Sequence, residues 1–176
     1  MANSPLIVSS KRPLCWALYT LRVMSNYIRI ERIPYEEPYH VQLVWNASNG
    51  SVSTCFEYYD NADSLKEIAG GLENFPRHSS DVFLYEIGSE KPEDNFAYYF
   101  RLRAFTTDSR GSSALQIRFS NNRDLPYREI VEFCIEAEPA AINRLGKLFR
   151  EFSNLNQEYM AWSDTESFIG SKHEYT

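Results

Sequence analysis

The chain is poor in the residues that mark specialised protein classes. Of its 176 residues only three are cysteine, seven glycine, eight proline and three histidine. Cys15, Cys55 and Cys134 form no CxxC pair, and an odd, scattered set excludes a disulfide framework. A reducing cytoplasm is the expected setting. Cys55 and Cys134 sit among strand-forming residues and read as small packed hydrophobes. So little Gly and Pro excludes a collagen-like or low-complexity chain. No hydrophobic run approaches the roughly 20 residues a bilayer span needs. Basic charge is short too. Eighteen Lys and Arg face 24 Asp and Glu, a net charge of −6. That is the wrong sign for a domain whose main partner is a nucleic-acid backbone.

Catalytic signatures are also missing. There is no HExxH, Walker loop, GxGxxG or GxSxG. His40, His78 and His173 are scattered, with no ligand spacing, so neither a metal nor a cofactor is expected. The one nucleophile–base set that can be assembled is Cys55, His40 and Asp60, the first two on adjacent strands. Alternation produces such coincidences readily, and no catalytic residue is assigned. Carboxylate pairs such as Glu86 with Glu90 or Glu57 with Asp60 are what an acidic chain yields by composition. Arg101, Arg103 and Arg118 suit a phosphate, but Glu132 and Glu136 compete for the same guanidiniums.

What is present is a core. Apolar residues make up 43% and aromatics 15%, which argues for one globular domain and against disorder. Residues 27–33 alternate apolar and polar until Pro34 and Pro38 interrupt. Residues 40–45 alternate again, with Val41, Leu43 and Trp45 on one face. Ser48-Asn49-Gly50 is a hairpin signal, and a third strand returns over 51–59. Then the period changes. Leu65, Ile68, Ala69, Leu72 and Phe75 form one helical face, capped by Ser64-x-x-Glu67 or Asp63 and stopped by Pro76. Gly70-Gly71 weakens that helix but lets a strand approach. Four strands follow over 81–87, 96–107, 112–119 and 129–137, then a helix opening at Glu138-Pro139 with Ile142, Leu145, Leu148, Phe149, Phe152 and Leu155 inward.

The order βββαββββα with short connections predicts an α+β fold, a mainly antiparallel sheet of about seven strands with two helices. Residues 24–162 form the domain and 163–176 a polar tail that frays. Residues 1–23, where Lys11-Arg12 precede a short apolar run, read as an extension ahead of a start at Met24. Pairing Thr107 with Ser112 sets Arg101 opposite Arg118 and Arg103 opposite Gln116. Glu132 and Glu136 on the next strand would offset the facing arginines and make an outer Arg–Glu ladder, a solvated face or a docking surface.

Acidic residues and tyrosines mix elsewhere. Glu36, Glu37, Tyr58, Tyr59, Asp60, Glu90, Glu93 and Asp94 are the candidate partner-binding residues, with Tyr35, Tyr39 and Glu57 among them. Tyrosines among carboxylates suit a basic protein partner, because aromatic anchors carry interface energy while charge steers encounter.

Three segments resemble the WapI-like immunity proteins of bacterial toxin–immunity systems and related uncharacterised bacterial domains. They are Ser64-Leu65-Lys66-Glu67-Ile68-Ala69 leading to Phe75-Pro76, the stretch from Phe105-Thr106-Thr107-Asp108 through Gly111 to Gln116, and Phe133-Cys134-Ile135-Glu136-Ala137-Glu138. The likeness covers residues 26–155. Where that family carries a tryptophan-rich middle stretch, this chain has Phe96-Ala97-Tyr98-Tyr99-Phe100. The resemblance implies a small acidic cytoplasmic protein that binds and neutralises a cognate toxin and needs no chemistry of its own. The expectation is a noncatalytic bacterial binding protein with no nucleic-acid or membrane partner. Two other readings stay open: an enzyme or ligand-binding domain with an unrecognised pocket, and a homodimer or larger homo-oligomer pairing through an edge strand.

Overall fold

A computed structural model describes residues 26–175. Expectations for residues 1–23, and for Cys15, lie outside them. The fold is α+β with antiparallel sheets, as the sequence indicates, but with nine strands in two sheets. The first sheet holds β1 (Asn26–Pro34), β2 (His40–Asn49) and β3 (Ser53–Asn61), joined by β8 (Tyr159–Ser163) and β9 (Ser167–Gly170), in the order β3-β2-β1-β8-β9. The second is a meander of β4 (Val82–Gly88), β5 (Tyr99–Thr106), β6 (Ser113–Ser120) and β7 (Ile130–Glu136). Helices α1 (Ser64–Leu72) and α2 (Pro139–Phe152) complete the described chain. Among the described residues no helix is long and apolar enough to cross a membrane.

Alternation places the core. Across the first sheet, Phe56, Trp45, Ile30 and Met160 form one inward row in register. Across the second, Tyr85, Leu102, Ile117 and Phe133 form another. The sheets meet through rings: Phe56 stacks on Phe119 at 4.4 Å and Trp45 lies 5.0 Å from Phe100. Leu65, Ile68, Ala69 and Leu72 of α1 and Ile142, Leu145, Phe149 and Phe152 of α2 join the same cluster.

The glycines show how closely these elements approach. A Cβ on Gly71 would stand 2.0 Å from the Phe83 ring, so this half of the Gly pair does admit a strand side chain. A Cβ on Gly146 would lie 2.5 Å from the Glu73 amide nitrogen, so the two helices touch through backbone there. Asn143 fixes that crossing by donating to the carbonyls of Leu72 and Phe75, which end α1. Hence α1 stops at Leu72, before Pro76.

The predicted register of β5 and β6 holds: Arg101 faces Arg118 and Arg103 faces Gln116. The outer row reads Glu86, Arg101, Arg118, Glu132 across four strands. Arg118 pairs with Glu132 and Glu90, and Arg101 lies 3.5 Å from Glu132. Glu136 is opposite Ala114 and takes no part, because it is four residues along the strand from Glu132.

Two expectations need correcting. Cys55 and Cys134 are exposed, since each has the odd-numbered or even-numbered phase of its strand that faces outward. The segment from 163 onward is no frayed tail. β9 pairs with β8, and β8 pairs with β1 at the centre of the first sheet. Lys172 binds Glu31, and Ser171 with Glu174 forms a capping box.

Candidate functional site

One end of the molecule gathers exposed aromatic residues. The loop after β1 carries Tyr35, whose ring meets Tyr59 edge-on at 4.9 Å. Tyr59 is 42% exposed because odd-numbered residues of β3 face away from the core. Its backbone is held from outside the sheet. The Tyr98 hydroxyl accepts from the Tyr59 amide at 3.2 Å and donates to the Tyr59 carbonyl at 2.6 Å. Glu36 lies 3.5 Å from His40, and Ile87 at the end of β4 closes a shallow hollow with Tyr35, Glu36, His40 and Tyr59.

Two further loops continue this surface. Residues 88–98 leave β4, and residues 121–129 lead into β7. Asn122 binds them together by donating to the carbonyls of Ser89 at 2.7 Å and Phe96 at 3.0 Å. Asn121 shapes the second loop, accepting from the amides of Arg123 and Glu129 and donating to the Tyr127 carbonyl. Phe96, Leu125 and Tyr127 project from these loops into solvent, the last two at 79% and 70% exposure. Between the loops and β3 runs a groove of about 480 Å³ lined by Cys55, Glu57, Tyr59, Tyr98, Arg123 and Glu129, with Phe56 and Phe119 along it.

The eight sequence-derived candidates separate. Glu36 and Tyr59 come together here with Tyr35 and His40. Glu93 and Asp94 stand exposed on a short 3-10 turn at Pro92–Asp94 in the loop 88–98. Glu37 is engaged by Arg32, which also donates to the carbonyls of Leu155 and Gln157. Glu90 grips Arg118 over the outer face of the second sheet. Tyr58 and Asp60 are not on the surface. Both lie on the inward phase of β3, Tyr58 only 1% exposed. The Cys55, His40 and Asp60 set is not assembled either. Cys55 is opposite Asn46 and His40 opposite Asn61, six positions apart, about 20 Å along the strands. Asp60 faces inward while Cys55 faces out.

Phe96, Tyr98, Leu125, Tyr127 and Arg123 belong to this surface but not to the eight residues that the sequence points to. The signal for two of them is the aromatic-rich run 96–100, broken only by Ala97, which a strand buried on one face cannot bury in full.

Asp60 has a different task. It accepts from the Tyr85 hydroxyl, from Ser64 at 2.8 Å and from the Asn61 amide at 2.7 Å, so it ties β3, β4 and the start of α1. Burial pushes its carboxyl above the ordinary aspartate value of 3.8, against the pull of those three donors. A raised folded-state value means its favourable contribution is complete below about pH 3.8 and is lost as pH rises through the folded value. Asp60→Asn cannot ionise. Its stability relative to the parent should therefore climb as pH goes from about 4 to about 7 in urea titrations. A difference constant with pH would contradict this.

No family model, curated protein or solved structure matches the chain.

Proposed function

We propose that this chain is a noncatalytic protein-binding domain of the immunity type, which neutralises a cognate toxin by covering it with a preformed surface. The surface runs from the loop around Tyr35 across Tyr59 to the loops 88–98 and 121–129. The observation that carries the reading is the pairing of exposed aromatic rings with fixed backbone. Tyr35 and Tyr59 form an edge-on pair, and Tyr98 and Asn122 lock the segments beneath and beside them. Rings held in advance lose little freedom on binding, which is where affinity is usually spent. Carboxylates at Glu36, Glu57, Glu93, Asp94, Asp124 and Glu129 outnumber the nearby cations Lys91, Arg123 and Arg128, in a chain of net charge −6. That pattern steers a basic partner. A reducing cytoplasmic setting, in which Cys55 and Cys134 remain thiols, goes with this reading.

Capture from lysate of the source organism tests it. Immobilised parent protein should retain a partner that elutes as salt rises. The double variant Tyr35→Ala, Tyr59→Ala keeps the buried residues of the fold and should weaken that partner by about 30-fold or more, the loss typical of aromatic anchors. Equal retention by parent and variant would refute the assignment.

A further inference from the structure

We infer that the open edge of β3 from Ser53 to Glu57 receives an extended segment of the partner as an added strand, one that alternates apolar and basic residues. This rests on the docking reading above and specifies how the partner is held.

The ladder geometry leads to it. β3 is an outer strand of its sheet, paired on one side with β2. Tyr98 reaches both the amide and the carbonyl of Tyr59 from outside the sheet, so those groups point away from β2. In an antiparallel pair every second residue points its backbone the same way. The amides and carbonyls of Glu57 and Cys55 therefore also point outward. At Tyr59 a phenol already occupies the place a neighbouring strand would take, supplying one donor and one acceptor. Two residues earlier no described residue does. The groove lies along this same stretch, with Cys55, Phe56, Glu57 and Tyr59 forming one wall. An uncovered edge of this kind is a template for strand addition.

The side chains specify the occupant. Residues of an added strand directly opposite Cys55 and Glu57 would place their side chains on the exposed face, beside the Glu57 carboxylate. Glu57 accepts from Gln42 at 3.2 Å and has no ion pair among the described residues. Glu129 across the groove likewise has none. Basic residues fit at those positions. The alternate side chains would turn toward Phe56, Phe119 and Tyr98, where apolar residues fit. Tyr98 ends the added strand at Tyr59, so the segment is short.

The test uses the full chain and a short, end-blocked peptide of alternating valine and lysine. Amide hydrogen exchange read by NMR should slow at Cys55 and Glu57 by about tenfold or more at saturating peptide. A peptide N-methylated at its lysines, which would face Cys55 and Glu57, should give no slowing. Glu57→Lys should lose the lysine peptide and accept a valine–glutamate peptide instead. Cys55→Pro removes an outward amide without touching the bonds to β2 and should also abolish binding; Glu57→Lys carries the test if that variant misfolds. Unslowed exchange, indifference to N-methylation, or mutual protection of β3 between two copies without peptide would each overturn the inference. If β3 stays unprotected while Tyr35→Ala, Tyr59→Ala still loses the captured partner, strand addition fails and the docking reading stands. If β3 is protected and the double variant retains the partner, the docking reading fails alone.

Discussion

Ending the chain at Glu158 should give a protein that does not fold. The truncation removes β8 and β9, although the residues beyond 163 are mostly polar. Among the described residues β8 is the only strand paired with β1 on the side away from β2. It brings Met160 and Trp162 into the core, where both are buried. Trp162 also donates its indole N–H to the Ala141 carbonyl at 2.8 Å, joining the sheet to the first turn of α2. Losing a buried Trp costs about 3–5 kcal/mol and a buried Met about 2–5 kcal/mol. Together these reach the whole stability of an ordinary domain, about 5–15 kcal/mol. The exposed edge of β1 adds to the loss. Far-ultraviolet circular dichroism and urea titration would show an unfolded or aggregated product. A cooperative transition near that of the full chain would contradict the central place given to β8.

Trp45→Ala should cost about 3–5 kcal/mol, the most of any single substitution in the first sheet. Its ring contacts Phe56, Tyr58, Phe100 and Phe149, so it touches both sheets and α2. No other residue spans these three elements by ring contact among those described. Trp45→Phe should cost much less. Among the described residues the indole N–H makes no hydrogen bond of normal geometry; the Tyr58 hydroxyl stands beside it without satisfying it. A poorly satisfied buried donor carries a penalty of up to about 1–3 kcal/mol, which phenylalanine relieves. Urea midpoints at constant m would give both values. A phenylalanine variant as unstable as the alanine one would contradict this, since neither the retained ring nor the loss of the indole N–H would then have helped.

The parts of this architecture that were legible in the sequence are those with a clean period. Val41, Leu43 and Trp45 alternate and are all buried, and Leu65, Ile68, Ala69 and Leu72 follow a helical face and are all buried. The β5–β6 register followed from one tight turn at Asp108 to Gly111. The C-terminal strands were missed because Tyr159, Met160, Ala161 and Trp162 are buried on both faces. Such a run has no alternation to read. Rings of Phe168 and Tyr175 cover Tyr159 on the outer side, and nothing local announces that cover.

The candidate surface was half legible for a related reason. Composition marked Tyr58 and Tyr59 equally, yet adjacent residues of a strand face opposite ways. Phase decided that Tyr59 is exposed and Tyr58 is not. Glu37 and Glu90 are acidic as expected but are held by Arg32, 5 residues away, and Arg118, 28 residues away. Phe96, Leu125 and Tyr127 join the surface through loops that Asn122 bridges and Asn121 shapes. A contact across 26 residues leaves no periodic trace.

Hydrogen exchange of the complex with its captured partner tests the functional account most directly. Amides in residues 35–40, 55–59, 88–98 and 121–129 should exchange more slowly than in the free protein, while the face carrying Arg101, Arg118 and Glu132 is unchanged. Protection centred on that Arg–Glu face, with β3 and its flanking loops unaltered, would contradict it.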